Sequence, residues 1–228
     1  PYFGYARQDR KTKPRDPISA KLVANLITRA GADRVLTMDL HANQIQGFFD
    51  IPVDNLLGSP VFVDHFLRRF AAVHDETMVV SPDVGSVARA RAFAQKLDMP
   101  MAIVDKRRQK ANSSEVMNII GEVKDKHVIL LDDMVDTGGS LCHAAQALVD
   151  IGGAKSVTAA ASHGVLSGPA IERINASVLD EVLFLDTIQP REDIAEVCPK
   201  IKYLSVAHMF AEAIARIYEE RSVSKLFQ

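Results

Sequence analysis

Apolar residues in this chain gather into short continuous runs, separated by stretches where apolar positions recur every three or four residues. The runs are TMVVSPD (77–83), PMAIVDK (100–106), KHVILLDD (126–133), KSVTAAASH (155–163) and DEVLFLDT (180–187), with a shorter one at Val35–Asp39. A run that is apolar throughout, rather than at alternate positions, suits a strand covered on both faces, so the pattern predicts parallel sheets flanked by helices. A helix is expected to open with Asp16 as N-cap and Pro17 at the first helical position. Leu22, Val23, Leu26 and Ile27 then mark its apolar face up to Gly31. Phe66, Phe70, Met209 and Ile214 read as core. The opening Pro1-Tyr2-Phe3-Gly4-Tyr5 reads like strand interior, and with no initiator methionine it predicts a preceding segment.

One internal echo is visible. GADRVLTMDLH (31–41) and GAKSVTAAASH (153–163) share Gly-Ala, then a valine three residues on, then a histidine six further. Gly31 and Gly153 are expected to end helices, Val35 and Val157 to begin strands, and His41 and His163 to sit near strand ends. The echo predicts two similar α/β halves.

Composition narrows this picture. With 228 residues, 47% apolar and 25% charged, the chain can build a packed core and is not disordered. A net charge of −2 gives no overall attraction to nucleic acid or anionic lipid, so any basic function is local. Cys142 and Cys198 are too few for a disulfide framework, and no apolar run reaches the roughly 18 residues of a membrane span. A reducing cytoplasm is the expected compartment.

The stretch VILLDDMVDTGGSL (128–141) carries the chemistry. An apolar run meets Asp132, Asp133 and Asp136, placing charge where charge is costly unless something is bound. In an open α/β sheet ligands bind beyond the carboxyl ends of the strands, and Val128–Leu131 delivers Asp132–Ser140 to that edge. A helix is expected from about Ser140. Gly138 and Gly139 let the backbone turn its N–H groups toward an anion at the helix mouth, with the Thr137 and Ser140 hydroxyls assisting. Asp132 and Asp133 can accept hydrogen bonds from the neutral hydroxyls of the same ligand. A phosphorylated sugar satisfies both halves, and the Walker spacing Gly-x-x-x-x-Gly-Lys-Ser/Thr is absent.

Other stretches leave two readings open from their residues alone. His41 is either a satisfied strand-end histidine or a ligand. Arg7 and Gln8 in YARQD form either a charged surface turn or a polyphosphate and base contact. Lys106, Arg107, Arg108 and Lys110 in KRRQK form either a solvated face, a nucleic-acid patch or a mobile basic loop over a polyphosphate.

Taken together and in this order, YARQDRK (5–11), DLHANQIQGFFDIPVDNL (39–56), SPDVGS (81–86), DKRRQKAN (105–112), the 132–140 loop and SHGVLSGPA (162–170) resemble the ribose-phosphate pyrophosphokinases, along the whole chain. The resemblance implies an α/β fold of two similar type I phosphoribosyltransferase-like domains with parallel sheets flanked by helices. The N-terminal one, lacking its opening segment, would span 1–60 plus 217–228, and the C-terminal one 61–216. It implies Mg²⁺-dependent transfer of the diphosphoryl group of ATP to O1 of ribose 5-phosphate, releasing AMP.

The same resemblance assigns roles. Lys106 and Arg108 become catalytic residues of a lid over the triphosphate. Arg7, Gln8 and His41 contact ATP, and His41 and Asp83 serve the metal. Asp132, Asp133, Asp136, Thr137, Gly138, Gly139 and Ser140 hold ribose 5-phosphate. Asp83, Val84, Gly85 and Ser86 form the diphosphate loop, where the family usually has a second glycine at the position of Ser86. A positive φ there would cost serine roughly 1 kcal/mol or more. Gly139 stands where many members carry alanine or cysteine. The family's adenine-holding phenylalanine and acidic residues fall ahead of Pro1. A hexameric homo-oligomer is implied, activated by inorganic phosphate and inhibited by ADP, with Gln46, Ser222 and Phe227 at the regulatory site. Neither nucleic acid nor membrane is an expected partner. A phosphoribosyltransferase, which would use the 132–140 loop equally well, and a non-catalytic regulatory paralogue are the alternatives. The uninterrupted basic segment Lys106–Asn112 speaks against the paralogue.

Overall fold

The computed structural model describes residues 1–107 and 116–226. In chain order its elements are α1 (Ser19–Arg29), β1 (Val35–Met38), β2 (Val53–Leu56), α2 (Ser59–Arg69), β3 (Thr77–Ser81), α3 (Val87–Leu97), β4 (Met101–Arg107), β5 (Val116–Ile120), β6 (His127–Val135), α4 (Gly139–Asp150), β7 (Ser156–Gly164), α5 (Ala170–Ala176), β8 (Glu181–Leu185), α6 (Ile194–Val197), β9 (Ile201–Leu204) and α7 (Ala207–Tyr218). They form two compact units: Pro1–Gly58 with the chain from Val206 onward, and Ser59–Ser205.

In the first unit β1 and β2 pair in parallel, Val35 opposite Val53 through Met38 opposite Leu56. Ala20 and Ala24 of α1 are fully buried with Ile45, and Leu40 and Phe49 are nearly so. These two small side chains let the helix lie close to its neighbours. This corrects half of the expected helix face: Leu22 and Leu26 are 56% and 58% exposed, whereas Val23 is partly buried and Ile27 packs against this core. Ile214 of α7, expected in the core, is likewise 58% exposed. Asp16 does not cap α1. The helix starts three residues later, and the Asp16 carboxylate instead accepts bonds from the Thr12 hydroxyl (2.7 Å) and the Lys13 amide (2.9 Å), stabilising the loop before it. The other end behaves as expected. Gly31, at φ +97°, donates to the Thr28 carbonyl and Ala32 donates to that of Ile27, the paired bonds of a glycine-closed helix. Residues 4–7 form turns rather than strand interior, while the Pro1 carbonyl accepts a bond from the Met38 amide.

The second unit is built on a sheet with strand order β5-β4-β3-β6-β7-β8-β9 among the described residues. All neighbours run parallel except β4 and β5. Strands β3 and β8 are buried at every position and β7 at all but its first, which is why their sequences are apolar without alternation. On one flank Phe62 and Phe66 of α2 meet Phe93 of α3, with Phe66 edge-on to Phe93 at 6.1 Å between ring centroids. On the other, Leu141, Ala144, Ala145 and Leu148 of α4 pack into the core that includes Val128, Leu130 and Val157. Strands β2, β5 and β9 have no counterpart among the predicted runs. Val-Asp-Asn-Leu and Ile-Lys-Tyr-Leu mix polar residues into short segments, and β5 and β9 lie at sheet edges where full burial is not required.

Candidate functional site

Successive connections leave β3 toward β4 and β6 toward β7, in opposite directions across the sheet. The β3–β6 junction is therefore the point where strand order reverses, the place at the carboxyl ends where open α/β sheets bind ligands. Two of the sequence-predicted loops emerge at this junction. Residues 82–86 follow β3, and residues 136–138 follow β6. Strand β6 pairs with β3 only as far as Leu130, yet continues beside β7 to Val135. Asp132 and Asp133 lie on this overhang, so they are still strand residues rather than the start of a loop.

The acids are placed differently. Asp133 is buried, whereas the Asp132 side chain is 23% exposed and accepts a bond from the Asp133 amide at 2.9 Å. The Ser86 hydroxyl donates to the same Asp132 oxygen at 3.4 Å. Arg89, in the first turn of α3, brings Nη1 to 3.1 Å from Asp133 Oδ1 and 3.8 Å from Asp132 Oδ1. Burial, followed by the charge of Asp133, pushes the Asp132 carboxyl up to about 7, with Arg89 pulling the other way.

Beyond the acids the chain turns into α4. Gly138 has φ +72°, and a side chain there would stand 3.4 Å from the Ala170 carbonyl. Helix α4 starts at Gly139, one residue before the expected Ser140, and has no capping side chain. Its first amides are left to an anion or water. Thr137 and Ser140 are exposed at this mouth, Gly138 is buried, and Asp136 is partly buried with its carbonyl accepting the Ser167 amide at 2.9 Å. From α5, Arg173 Nη1 donates to the Thr137 carbonyl at 3.0 Å.

The 82–86 loop is exposed at Asp83, Val84 and Gly85 and buried at Ser86. Ser86 has φ −89°, so the strain anticipated for a serine there does not arise. Its amide donates to Asp83 Oδ1 at 2.8 Å, and the Ser81 hydroxyl donates to the Asp83 carbonyl at 2.7 Å. These bonds give the turn its shape without a second glycine.

In the first unit Arg7, Gln8 and His41 are all exposed. Gln44 donates to Asp9 at 2.7 Å, tying the Arg7–Gln8 segment to the loop that carries His41. Gln46 is partly buried and donates to the Asn43 carbonyl, and the Ser222 carbonyl accepts a bond from Arg216. Lys106 lies on β4 opposite Met117. Its side chain, together with Arg108 and Phe227, lies outside what the structure describes. Among the described residues no three or more His, Cys, Asp or Glu side chains converge on a metal position. No helix among them is long and apolar enough to cross a membrane.

Arg89 and Arg173 were not singled out from the sequence. Arg89 could have been found as the first cation in the helix after SPDVGS, but Arg173 depends on how α5 folds back onto the loop.

Parallel strands between helices, with paired acids ahead of a glycine turn at the switch point, define an α/β protein of the type I phosphoribosyltransferase-like fold. Residues 1–31 match the N-terminal domain of ribose phosphate pyrophosphokinase, and residues 111–228 match the phosphoribosyl synthetase-associated domain. A ribose-phosphate pyrophosphokinase of Clostridium perfringens is 62% identical over the whole chain, which covers 70% of that protein. One of Caulobacter vibrioides is 63% identical, with 72% of its length covered. The crystal structure of phosphoribosylpyrophosphate synthetase from Mycobacterium smegmatis superposes with a TM-score of 0.87 at 41% identity, over 96% of this chain and 70% of that one. The chain belongs to the ribose-phosphate pyrophosphokinase family, a family of enzymes.

Proposed function

We propose that this chain makes phosphoribosyl pyrophosphate for nucleotide biosynthesis by transferring the β,γ-diphosphoryl group of ATP to the anomeric oxygen of ribose 5-phosphate, with AMP as the second product. The observation that carries this reading is the overhang of β6. It places two carboxylates beside an uncapped helix mouth, the complement of a sugar with hydroxyls at one end and a phosphate at the other.

In this reading Thr137–Ser140 grip the 5-phosphate through backbone amides and hydroxyls. Asp132 and Asp133 accept hydrogen bonds from ring hydroxyls and so orient the anomeric oxygen, and Asp136 lies at the turn between them and the phosphate grip. Positioning and charge neutralisation carry most of a phosphoryl-type transfer, so a rigid grip on the acceptor supplies much of the rate. The 83–86 loop receives the diphosphate. Arg7, Gln8 and His41 hold the nucleotide, and Lys106 and Arg108 supply cations to the transferred group.

The ion would take one or two protein ligands, with substrate oxygens and water filling the rest, as Mg²⁺ does at polyphosphates. Exposed Asp83 suits a hard cation, while the His41 imidazole is the softer donor of the proposed set. When bound, Mg²⁺ neutralises polyphosphate charge. We extend the proposal to a cytoplasmic homohexamer activated by inorganic phosphate and inhibited by ADP, with Gln46, Ser222 and Phe227 contributing to regulation.

The test is a phosphorus NMR time course with Mg²⁺, ATP and ribose 5-phosphate, run on this chain and on a version extended to the length of its relatives. Appearance of AMP with phosphoribosyl pyrophosphate, and no ADP, is expected. Accumulation of ADP, or turnover only when phosphoribosyl pyrophosphate and a base are supplied, overturns the assignment.

A further inference from the structure

The Arg89 guanidinium is the one described cation within ion-pair range of both Asp132 and Asp133. Its Nη1 is fully buried, and neither carboxylate approaches it with the alignment of a hydrogen bond. The contact is held by charge at short range. Burying a cation without a well-made partner is costly, so its place is set by the two acids it faces.

The geometry explains what the acids need. Two adjacent and largely buried carboxylates repel each other, and the cheapest relief is to take up a proton. A protonated carboxyl presents a donor where a sugar hydroxyl needs an acceptor. A cation beside the pair favours the ionised forms and so the acceptor oxygens. Arg89 also sits one turn into α3, directly after the 83–86 loop, and Ser86 of that loop bonds the same Asp132 oxygen that the Asp133 amide does. Ser86 and Arg89 together therefore pin α3 to the overhanging end of β6.

We propose that Arg89 is a positioning residue for ribose 5-phosphate, favouring the ionised forms of Asp132 and Asp133 and keeping them aimed through its contact with both. This rests on the reading of 132–140 as the sugar-phosphate grip.

Calorimetric titration of ribose 5-phosphate into wild type, Arg89→Met and Arg89→Lys, from about pH 5.5 to about pH 8.5, tests it. Among the described residues, the charged groups shown facing the pair are each other and Arg89, with the Ser86 hydroxyl as neutral neighbour. Arg89→Met is expected to weaken binding about 10-fold or more at neutral pH, and to move the acid-side loss of binding to higher pH. Arg89→Lys, which keeps the charge, is expected to recover part of both. Should Arg89→Met prove unfolded by thermal melting, Arg89→Gln, which also removes the charge, takes its place: unchanged affinity together with an unchanged pH profile overturns the proposal. The same result for a folded Arg89→Met overturns it equally, as does a folded Arg89→Lys that recovers nothing. Wild type that fails to bind ribose 5-phosphate removes the sugar-phosphate reading itself, an outcome distinct from the variants matching a wild type that binds.

Discussion

Arg173 on α5 donates from Nη1 to the carbonyl of Thr137 at 3.0 Å, across a gap in which Gly139 has no side chain to intervene. The bond fastens the far side of the glycine turn, while Gly138 lies against Ala170 at the start of the same helix. Arg173→Ala removes this fastening and a positive charge near the helix mouth. It is expected to raise the ribose 5-phosphate KM about 3- to 10-fold with little change in the ATP KM, measured by steady-state kinetics.

Gly138→Ala tests the turn itself. Its φ of +72° costs an L-residue roughly 1 to 2 kcal/mol, and the added methyl meets the Ala170 backbone. A lower midpoint in urea unfolding and weaker ribose 5-phosphate binding are expected together.

The Asp132 carboxyl gives a pH signature. Its folded pKa of about 7 lies above its ordinary value, so between those pH values the folded state holds more protons than the unfolded one. Stability from this group is therefore present at low pH and lost as pH rises toward 7. Asp132→Asn removes the penalty. Relative to wild type it is expected to be more stable at pH 8 than at pH 5 by about 1 to 3 kcal/mol, read from urea melts at both pH values.

Asp133 separates sugar from nucleotide. Asp133→Asn is expected to weaken ribose 5-phosphate at least about 10-fold and ATP much less, by titration of each ligand alone. Equal weakening of both would contradict the assignment of this acid to the sugar.

In the proposed reaction Lys106 and Arg108 supply the remaining charge chemistry. Lys106→Ala and Arg108→Ala are each expected to lower kcat about 100-fold or more with unchanged thermal melting, assayed in the chain extended to the length of its relatives. Near-normal turnover in both would take these cations out of the mechanism.

The runs at 77–83, 126–133, 155–163 and 180–187 were legible because a strand covered on both faces has no solvent position to fill, so burial writes itself into every residue. Gly31 was legible as a helix end because few residues tolerate the conformation it adopts. Asp16 misled because an acid before proline suits a loop bond as well as a cap, and local geometry alone decides between them. Leu22 and Leu26 misled because an apolar stripe states a preference for burial without naming what will cover it, and in this unit the small alanines of α1 point inward instead.

The residues of the proposed sugar-phosphate grip are contiguous, so sequence by itself determined their order: acids, turn, helix mouth. Tertiary structure decided what surrounds them. Pairing of β6 with β3 stops at Leu130 while pairing with β7 runs on to Val135, and this unequal overlap brings Ser86 and Arg89, more than forty residues earlier in the chain, against Asp132 and Asp133. Charge acts through space rather than along the backbone, so no reading of neighbours in sequence could locate the cation that faces these two acids.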